Sequence, residues 1–329
     1  MSRPRSIAKD RPDVTALHSP RWREESDAPV RDFGEPVPFF YTRAGATLPL
    51  EGQFRGAHAF LMAGGPSVGS LDLQPLQRRW VMTLNNAART FRGDANCTVD
   101  DPSRFSLSIW LDPTMMKFVP MSHFEKPLWD NRLLRTDSGW VQRWEQSTLK
   151  LGDCPNVIGF RRNEKFHSPR WLTEETVNWG NHGKYGGGRS VLLASLRILY
   201  LLGFRHVYLL GVDFEMSEKR RYHFPEGRTA KAIRGNMSTY AKLQAWFSEL
   251  QPHFLKAGYT VKNCNPTSKL RAFPHVPYEE ALAEAGVRLG DSMNERTEGM
   301  YQNPEEKLGK SPPSRPEIGA SEQGKSVTA

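Results

Sequence analysis

Four short stretches of the chain hold residue types suited to acid–base and phosphate chemistry. In the first, Gly211-Val212-Asp213-Phe214 is followed closely by Lys219-Arg220-Arg221-Tyr222-His223-Phe224. An Asp directly after an apolar run, a phenol able to donate to phosphate and an imidazole that titrates near neutral pH make a candidate set for proton acceptance and leaving-group binding. Asp213 equally fits a cap on the following turn and His223 a surface-loop histidine, so both readings stay open at this level. The second stretch, Gly186-Gly187-Gly188-Arg189-Ser190, joins a flexible glycine run, a guanidinium suited to phosphate and a serine in helix N-cap position.

The third is Ala63-Gly64-Gly65-Pro66-Ser67-Val68-Gly69, where paired glycines let backbone approach a ligand and Leu71 to Leu76 supplies a helix start that could face a phosphate. It reads either as a ligand loop or as a plain strand-to-helix turn. The G-x-G-x-x-G spacing of a dinucleotide fingerprint is absent, and no Gly-Lys-Ser/Thr follows, so it is not a Walker loop. Gly309-Lys310-Ser311 occurs later, but Pro304 stands where the first glycine belongs and Pro312-Pro313 prevents a helix. The fourth is Leu84-Asn85-Asn86, whose amides can both donate to and accept from a base or ribose.

Each stretch follows or precedes an element that would position it. His58 to Ala63 and Trp80 to Leu84 read as buried strands, with Phe105 to Leu111 and Val157 to Phe160 as weaker ones. Ser190 to Leu202 reads as a helix buried on most sides and closed by Gly203. His206 to Val212 is the continuous apolar run of a strand covered on both faces. Thr239 to Ala257 is an amphipathic helix closed by Gly258, and Tyr259 to Val261 a last strand. This alternation predicts an α/β fold, a Rossmann-like mostly parallel sheet with helices on both faces. In such sheets ligands sit beyond the carboxyl ends of the strands, where three of the four stretches fall.

Composition narrows the classes. The 329 residues are 38% hydrophobic and 25% charged, which excludes collagen, coiled coil and wholesale disorder. No run reaches the ~18 apolar residues of a membrane span, and the N-terminus leads into no apolar run of signal-peptide length. Cys97, Cys154 and Cys264 are widely separated and show no zinc spacing, so reduced structural thiols, a cytoplasmic location and no metal site are expected. Residues 1–36 and 290–329 have the polar composition of disordered tails flanking one nucleotide-binding transferase domain at 37–289. The formal charge is +9, and residues 36–289 hold 33 basic against 22 acidic residues. A basic body predicts an acidic partner, either a phosphorylated small molecule or a polyanion.

Taken in order, these motifs resemble the bacterial CMP-sialyltransferase-like superfamily and its relatives, the motility accessory factor and 6-hydroxymethylpterin diphosphokinase-like proteins, over about residues 58–285. The family's Gly-x-Gly-Pro-Ser-Leu loop is matched by Gly64-Gly65-Pro66-Ser67-Val68, and its asparagine after the second strand by Asn85. Its Gly-Gly-Ser-Val helix start and Gly-x-Asp strand end are matched by Gly188, Ser190 and Val191 and by Gly211-Val212-Asp213. Tyr222-His223-Phe224 and Pro266-Thr267-Ser268-Lys269-Leu270 look like its Tyr-x-Phe and Pro-x-Ser-x-Leu segments. Three positions depart from the pattern: Gly64 replaces an Asn, Glu215 a Tyr, and no histidine stands near Asn236 to Thr239, where the sialyltransferase base would fall.

The resemblance implies a nucleotide-dependent transferase, foremost a glycosyltransferase using a nucleotide-activated sugar of the CMP-nonulosonate type. Gly64, Gly65, Pro66, Ser67, Asn85, Gly188, Arg189 and Ser190 are then expected to hold the nucleotide. Arg189 and Tyr222 would stabilise the departing phosphate, and His223 or Asp213 would accept the acceptor's proton. No tightly bound cofactor is expected. Two alternatives remain: an ATP-dependent diphosphokinase acting on a hydroxymethyl compound, which would need Mg²⁺, and a non-catalytic nucleotide- or nucleic-acid-binding module, whose retention would fall steeply with salt.

Overall fold

The runs at residues 58–62, 81–84 and 206–210 are short and apolar on both sides of the pleat, so each must be buried between two layers. The computed structural model describes residues 39–137, 139–163, 177–178, 190–216, 222 and 230–286. All lie in one compact unit, Met1–Val287; a second unit, Arg288–Ala329, and both expected tails fall outside the described residues. In chain order the elements are β1 (Phe40–Tyr41), β2 (Thr47–Leu48), β3 (His58–Met62), β4 (Val81–Leu84), β5 (Ala95–Cys97), α1 (Leu107–Trp110), β6 (Met116–Pro120), β7 (Pro127–Thr136), β8 (Gly139–Lys150) and β9 (Val157–Phe160). Then follow β10 (Arg162–Asn163), β11 (Val177–Asn178), α2 (Val191–Leu202), β12 (His206–Leu210), α3 (Ala230–Lys256), β13 (Thr260–Asn263) and α4 (Tyr278–Ala285).

Nine strands form one sheet in the order β13-β12-β3-β4-β5-β6-β9-β1-β2. The pairs from β13 to β9 are parallel, and only β1 and β2 run antiparallel at one edge. The chain starts the parallel sheet at β3 and builds outward through β4, β5, β6 and β9. It then returns to lay β12 on the other flank of β3, with β13 beyond. The strand order therefore reverses between β3 and β12, and the crevice past their carboxyl ends is the topological switch point of the sheet.

Alternate side chains divide the core. Ala59, Leu61, Met82, Val207 and Leu209 face one layer, with Leu193, Leu196 and Leu199 of α2 and Phe247, Leu250 and Phe254 of α3. Phe60, Met62, Val81, Tyr208 and Leu210 face the other, with Tyr278 and Ala281 of α4. Farther along that layer, Ile109 and Trp110 of α1 pack with Val119, Phe124 and Leu128. Helices thus cover both faces of a mostly parallel sheet, the architecture expected from the periodicity.

Three expectations need correction. Phe105 to Leu111 is no strand: Ile109 and Trp110 are both buried while Leu111 is exposed, a helical pattern, and Ser106 precedes the single turn as its N-cap residue. Leu71 to Leu76 opens no α-helix. The segment runs from the end of one 3-10 turn, Pro66–Ser70, into a second, Gln74–Arg78, where Asp72 accepts the Gln74 N–H at 3.0 Å and Pro75 has no N–H to give. The helix assigned to begin near Thr239 begins at Ala230.

The connection from β6 to β9 contains a hairpin rather than a crossover helix. β7 and β8 pair with each other in antiparallel register from Pro127↔Lys150 to Thr136↔Gly139, as a two-stranded sheet of their own. A two-stranded ribbon is marginal alone; this one is rooted by Leu128 in the core beneath α1. No helix among the described residues is long and apolar enough to cross a membrane.

Candidate functional site

The crevice between β3 and β12 is held together by a carboxylate. After β12, Gly211 turns the chain with φ +65°, and a Cβ there would strike the Ala63 carbonyl. Asp213 follows, buried at 9% exposure. Its Oδ2 accepts the backbone N–H of Ser67 at 3.0 Å, and its Oδ1 accepts both the Ser67 hydroxyl and Nδ2 of Asn265, the latter at 2.8 Å. Gly65 N–H donates to the Gly211 carbonyl at 2.9 Å. A Cβ on Gly65 would lie 2.7 Å from the Asp213 carboxylate, so only glycine lets the two loops come this close.

The outlet of β13 closes the same knot from the other side. Ser268 donates through its hydroxyl to the Val212 carbonyl at 2.6 Å, Asn263 through Nδ2 to the same carbonyl at 3.3 Å, and Lys269 N–H to the Asp213 carbonyl at 2.8 Å. Asn265 is itself oriented, its Oδ1 accepting Thr267 N–H at 3.0 Å and the Thr267 hydroxyl at 2.9 Å. The loops after β3, β12 and β13 therefore form one hydrogen-bonded body around a buried negative charge.

One strand over, Asn85 leaves β4 in the left-handed region with φ +53°. Asn is among the few side chains that tolerate this conformation. Its carbonyl accepts Nδ2 of Asn96 at 3.0 Å, while its own side-chain oxygen is buried without a hydrogen-bond partner. Phe214, immediately after Asp213, is likewise left-handed at φ +54° and stacks on Tyr240 with ring centroids 4.8 Å apart. For a phenylalanine this conformation stores strain, and strain of this kind concentrates at functional loops.

Ser190 stands at the N-cap of α2, though its side chain makes no capping bond there. The far end of α2 lies at the amino edge of the sheet, since Gly56 N–H donates to the Gly203 carbonyl at 3.0 Å and Arg205 N–H to that of Ala57 at 3.1 Å. Twelve helical residues span about 18 Å, so Ser190 opens at the opposite, carboxyl edge. Gly64, Gly65, Pro66, Ser67, Asn85, Ser190 and Asp213 thus share one edge of the sheet, with Ser67 and Asp213 in direct contact. Tyr222 is half-buried. Gly188, Arg189 and His223 lie outside the described residues.

Ser67 turns both its N–H and its hydroxyl to Asp213, and the Asp213 carboxylate clasps two loops together. Asn265 and Asn96 were not singled out by sequence. Asn265 lies two residues past the end of the last strand, where Asn85 directly follows β4, and that placement at a strand outlet was the available signal.

All three cysteines are free and buried. Burial pushes the thiols of Cys97 and Cys264 up to about 12, so they stay protonated and inert. The described residues contain no group of three or more His, Cys, Asp or Glu able to hold a metal ion.

No family model and no curated protein matches the chain. Among solved structures it is similar to the MAf glycosyltransferase from Magnetospirillum magneticum AMB-1, with a TM-score of 0.41 and 12% identity, over 73% of this chain and 36% of that one. The chain spans about a third of the length of that neighbour.

Proposed function

We propose that this chain is a nucleotide-dependent transferase of the glycosyltransferase kind, taking a nucleotide-activated sugar as donor, CMP-nonulosonate foremost. The observation that carries the reading is the switch-point crevice itself: small residues and a left-handed asparagine at the outlets of adjacent parallel strands, braced by Asp213. Gly64, with no side chain, is assigned to leave its backbone open to the nucleotide, while Gly65 seats Asp213 against the loop. Asn85, with its side-chain oxygen unpartnered, is suited to a base amino group or a ribose hydroxyl. Arg189 and Tyr222 are proposed to stabilise charge developing on the departing phosphate. With the Asp213 carboxylate engaged by Ser67 and Asn265, proton acceptance falls to His223.

Calorimetric titration with CMP-, UDP- and GDP-sugars and with ATP, each with and without Mg²⁺, tests the reading. A CMP-sugar bound without metal is the expected result. Binding of ATP alone, dependent on Mg²⁺, would favour diphosphoryl transfer, and silence from every nucleotide would end the proposal.

A further inference from the structure

Among the described strands β7 and β8 pair only with each other, and the two faces of their ribbon differ in chemistry. The register opposes Trp129 to Gln146, Asn131 to Trp144, Leu133 to Gln142 and Arg135 to Trp140. Residues directly opposite in an antiparallel pair share a face, and alternate residues along each strand stay on it. One face therefore collects Trp129, Trp140 and Trp144 together with the amide residues Asn131, Gln142 and Gln146. Leu133 and one charged residue, Arg135, complete it.

The intervening positions form the other face, where Asp130 opposes Glu145, Arg132 opposes Arg143 and Leu134 opposes Val141. Charge is concentrated there, and Arg143 and Glu145 meet at 3.0 Å as an exposed pair. Leu128, which roots the ribbon in the core beneath α1, alternates with Trp129, so at the root the tryptophan face turns away from that core. Arg143, Glu145 and Gln146 are exposed, and Trp129 and Trp144 are partly exposed. The ribbon thus stands in solvent on both sides along this stretch, with its aromatic residues sorted onto one of them.

Indole and amide in alternation suit a ligand that is apolar on its ring faces, rich in hydroxyls at its rim and uncharged. The electron-rich face of an indole attracts the C–H bonds on the face of a pyranose ring, and an amide both donates to and accepts from hydroxyls. At about 3.4 Å per residue, Trp140 and Trp144 lie about 14 Å apart along β8, farther than one sugar ring reaches. Trp129 is a diagonal neighbour of Trp144, about 7–8 Å away across the ribbon. Single-stranded nucleic acid also stacks on aromatic residues, but it needs cations tracking its phosphates, and Arg132 and Arg143 belong to the opposite face. We propose that the tryptophan face of the β7–β8 ribbon binds a neutral oligosaccharide of several sugar residues. This surface is separate from the nucleotide reading, since it would hold such a glycan whether or not the crevice transfers a sugar.

The test is retention of the full chain, without nucleotide, on an array of neutral hexasaccharides built from glucose, mannose, galactose or N-acetylglucosamine, followed by calorimetry with whichever is retained. At least one should bind, with little dependence on salt. Trp140→Ala and Trp144→Ala should each weaken it by about 2–10-fold, and Arg143→Ser on the opposite face should leave it unchanged. No retention by the wild type, or equal affinity in the Trp140→Ala, Trp144→Ala double variant, would overturn the assignment. So would a wild-type dimer that the same double variant dissociates, which would give the face to a second copy of the chain. Should the double variant unfold, amide exchange of the wild type with and without the retained hexasaccharide decides: protection within residues 127–150 supports the site, and protection only elsewhere refutes it.

Discussion

Removing the Asp213 carboxylate separates two accounts of this residue by the sign of its effect on stability. A carboxylate reserved for proton transfer is commonly a liability to the fold, so replacing it is neutral or stabilising. A clasp behaves in the opposite way. In Asp213→Ala, the Ser67 hydroxyl can rotate to a new partner, but the Ser67 backbone N–H cannot, and the Asn265 amide is held in place by Thr267. Two donors are left without acceptors, at about 1–3 kcal/mol each when buried. Because Ser67 and Asn265 are only partly buried, the lower half of that range applies and the expected loss is about 2–4 kcal/mol. Asp213→Asn should cost less, about 1–2 kcal/mol, because its amide satisfies one side of the clasp and opposes a donor on the other whichever way it turns. Equilibrium urea unfolding of the three proteins gives these values from midpoints at constant slope. Amide exchange at Ser67 should accelerate in the same order. An alanine variant within 0.5 kcal/mol of the wild type, the ordinary range for a surface change, would refute the clasp.

Other consequences are open to simpler tests. Gly65→Ala should destabilise the chain or force the loop open, because the new methyl would overlap the Gly211 carbonyl and the Asp213 carboxylate; thermal unfolding reports it, and an unchanged midpoint would contradict the close approach. The three buried thiols should resist an aromatic disulfide reagent in the native protein and react in full once it is denatured. Asp101 caps the turn after β5, accepting Ser103 N–H at 3.1 Å, and pairs with Lys126 at 2.8 Å. Burial opposes its ionisation, but these partners together hold its carboxyl below the ordinary range. Its contribution is present above the unfolded-state pKa and is lost as pH falls through the lower folded value, so Asp101→Ala should cost about 1 kcal/mol at neutral pH and flatten the acid limb of the stability profile.

What could be read from sequence follows the length of each pattern. β3, β4, β12 and α2 carry continuous apolar runs bounded by glycine or asparagine, and in parallel sheets such runs admit few alternatives. β5 and β6 were missed because each breaks its apolar run with a polar residue, Asn96 in the three residues of β5 and Lys117 in β6. Lys117 is buried, and its ammonium donates to the carbonyls of Asp112, close in sequence, and of Pro155, remote in sequence. Phe105 to Leu111 was misread for a related reason: a short apolar run does not distinguish strand from a single helical turn. The candidate site's placement was legible where loops leave strand ends, as at Gly65, Asn85 and Asp213, which share the carboxyl edge of the sheet. It was illegible where partners are remote, because nothing local ties Asn265 to a carboxylate 52 residues earlier.

The reversal of strand order sets a schedule for biosynthesis. Ser67 waits for Asp213, 146 positions later in the chain, which at elongation rates of about 5–20 residues per second is about 7–30 s of translation. Through that interval β3, an interior strand of the finished sheet, has one flank bare and adhesive. Mutations that delay the arrival of β12 should therefore be felt first as poor yield from the ribosome, well before they alter the properties of molecules that complete the journey.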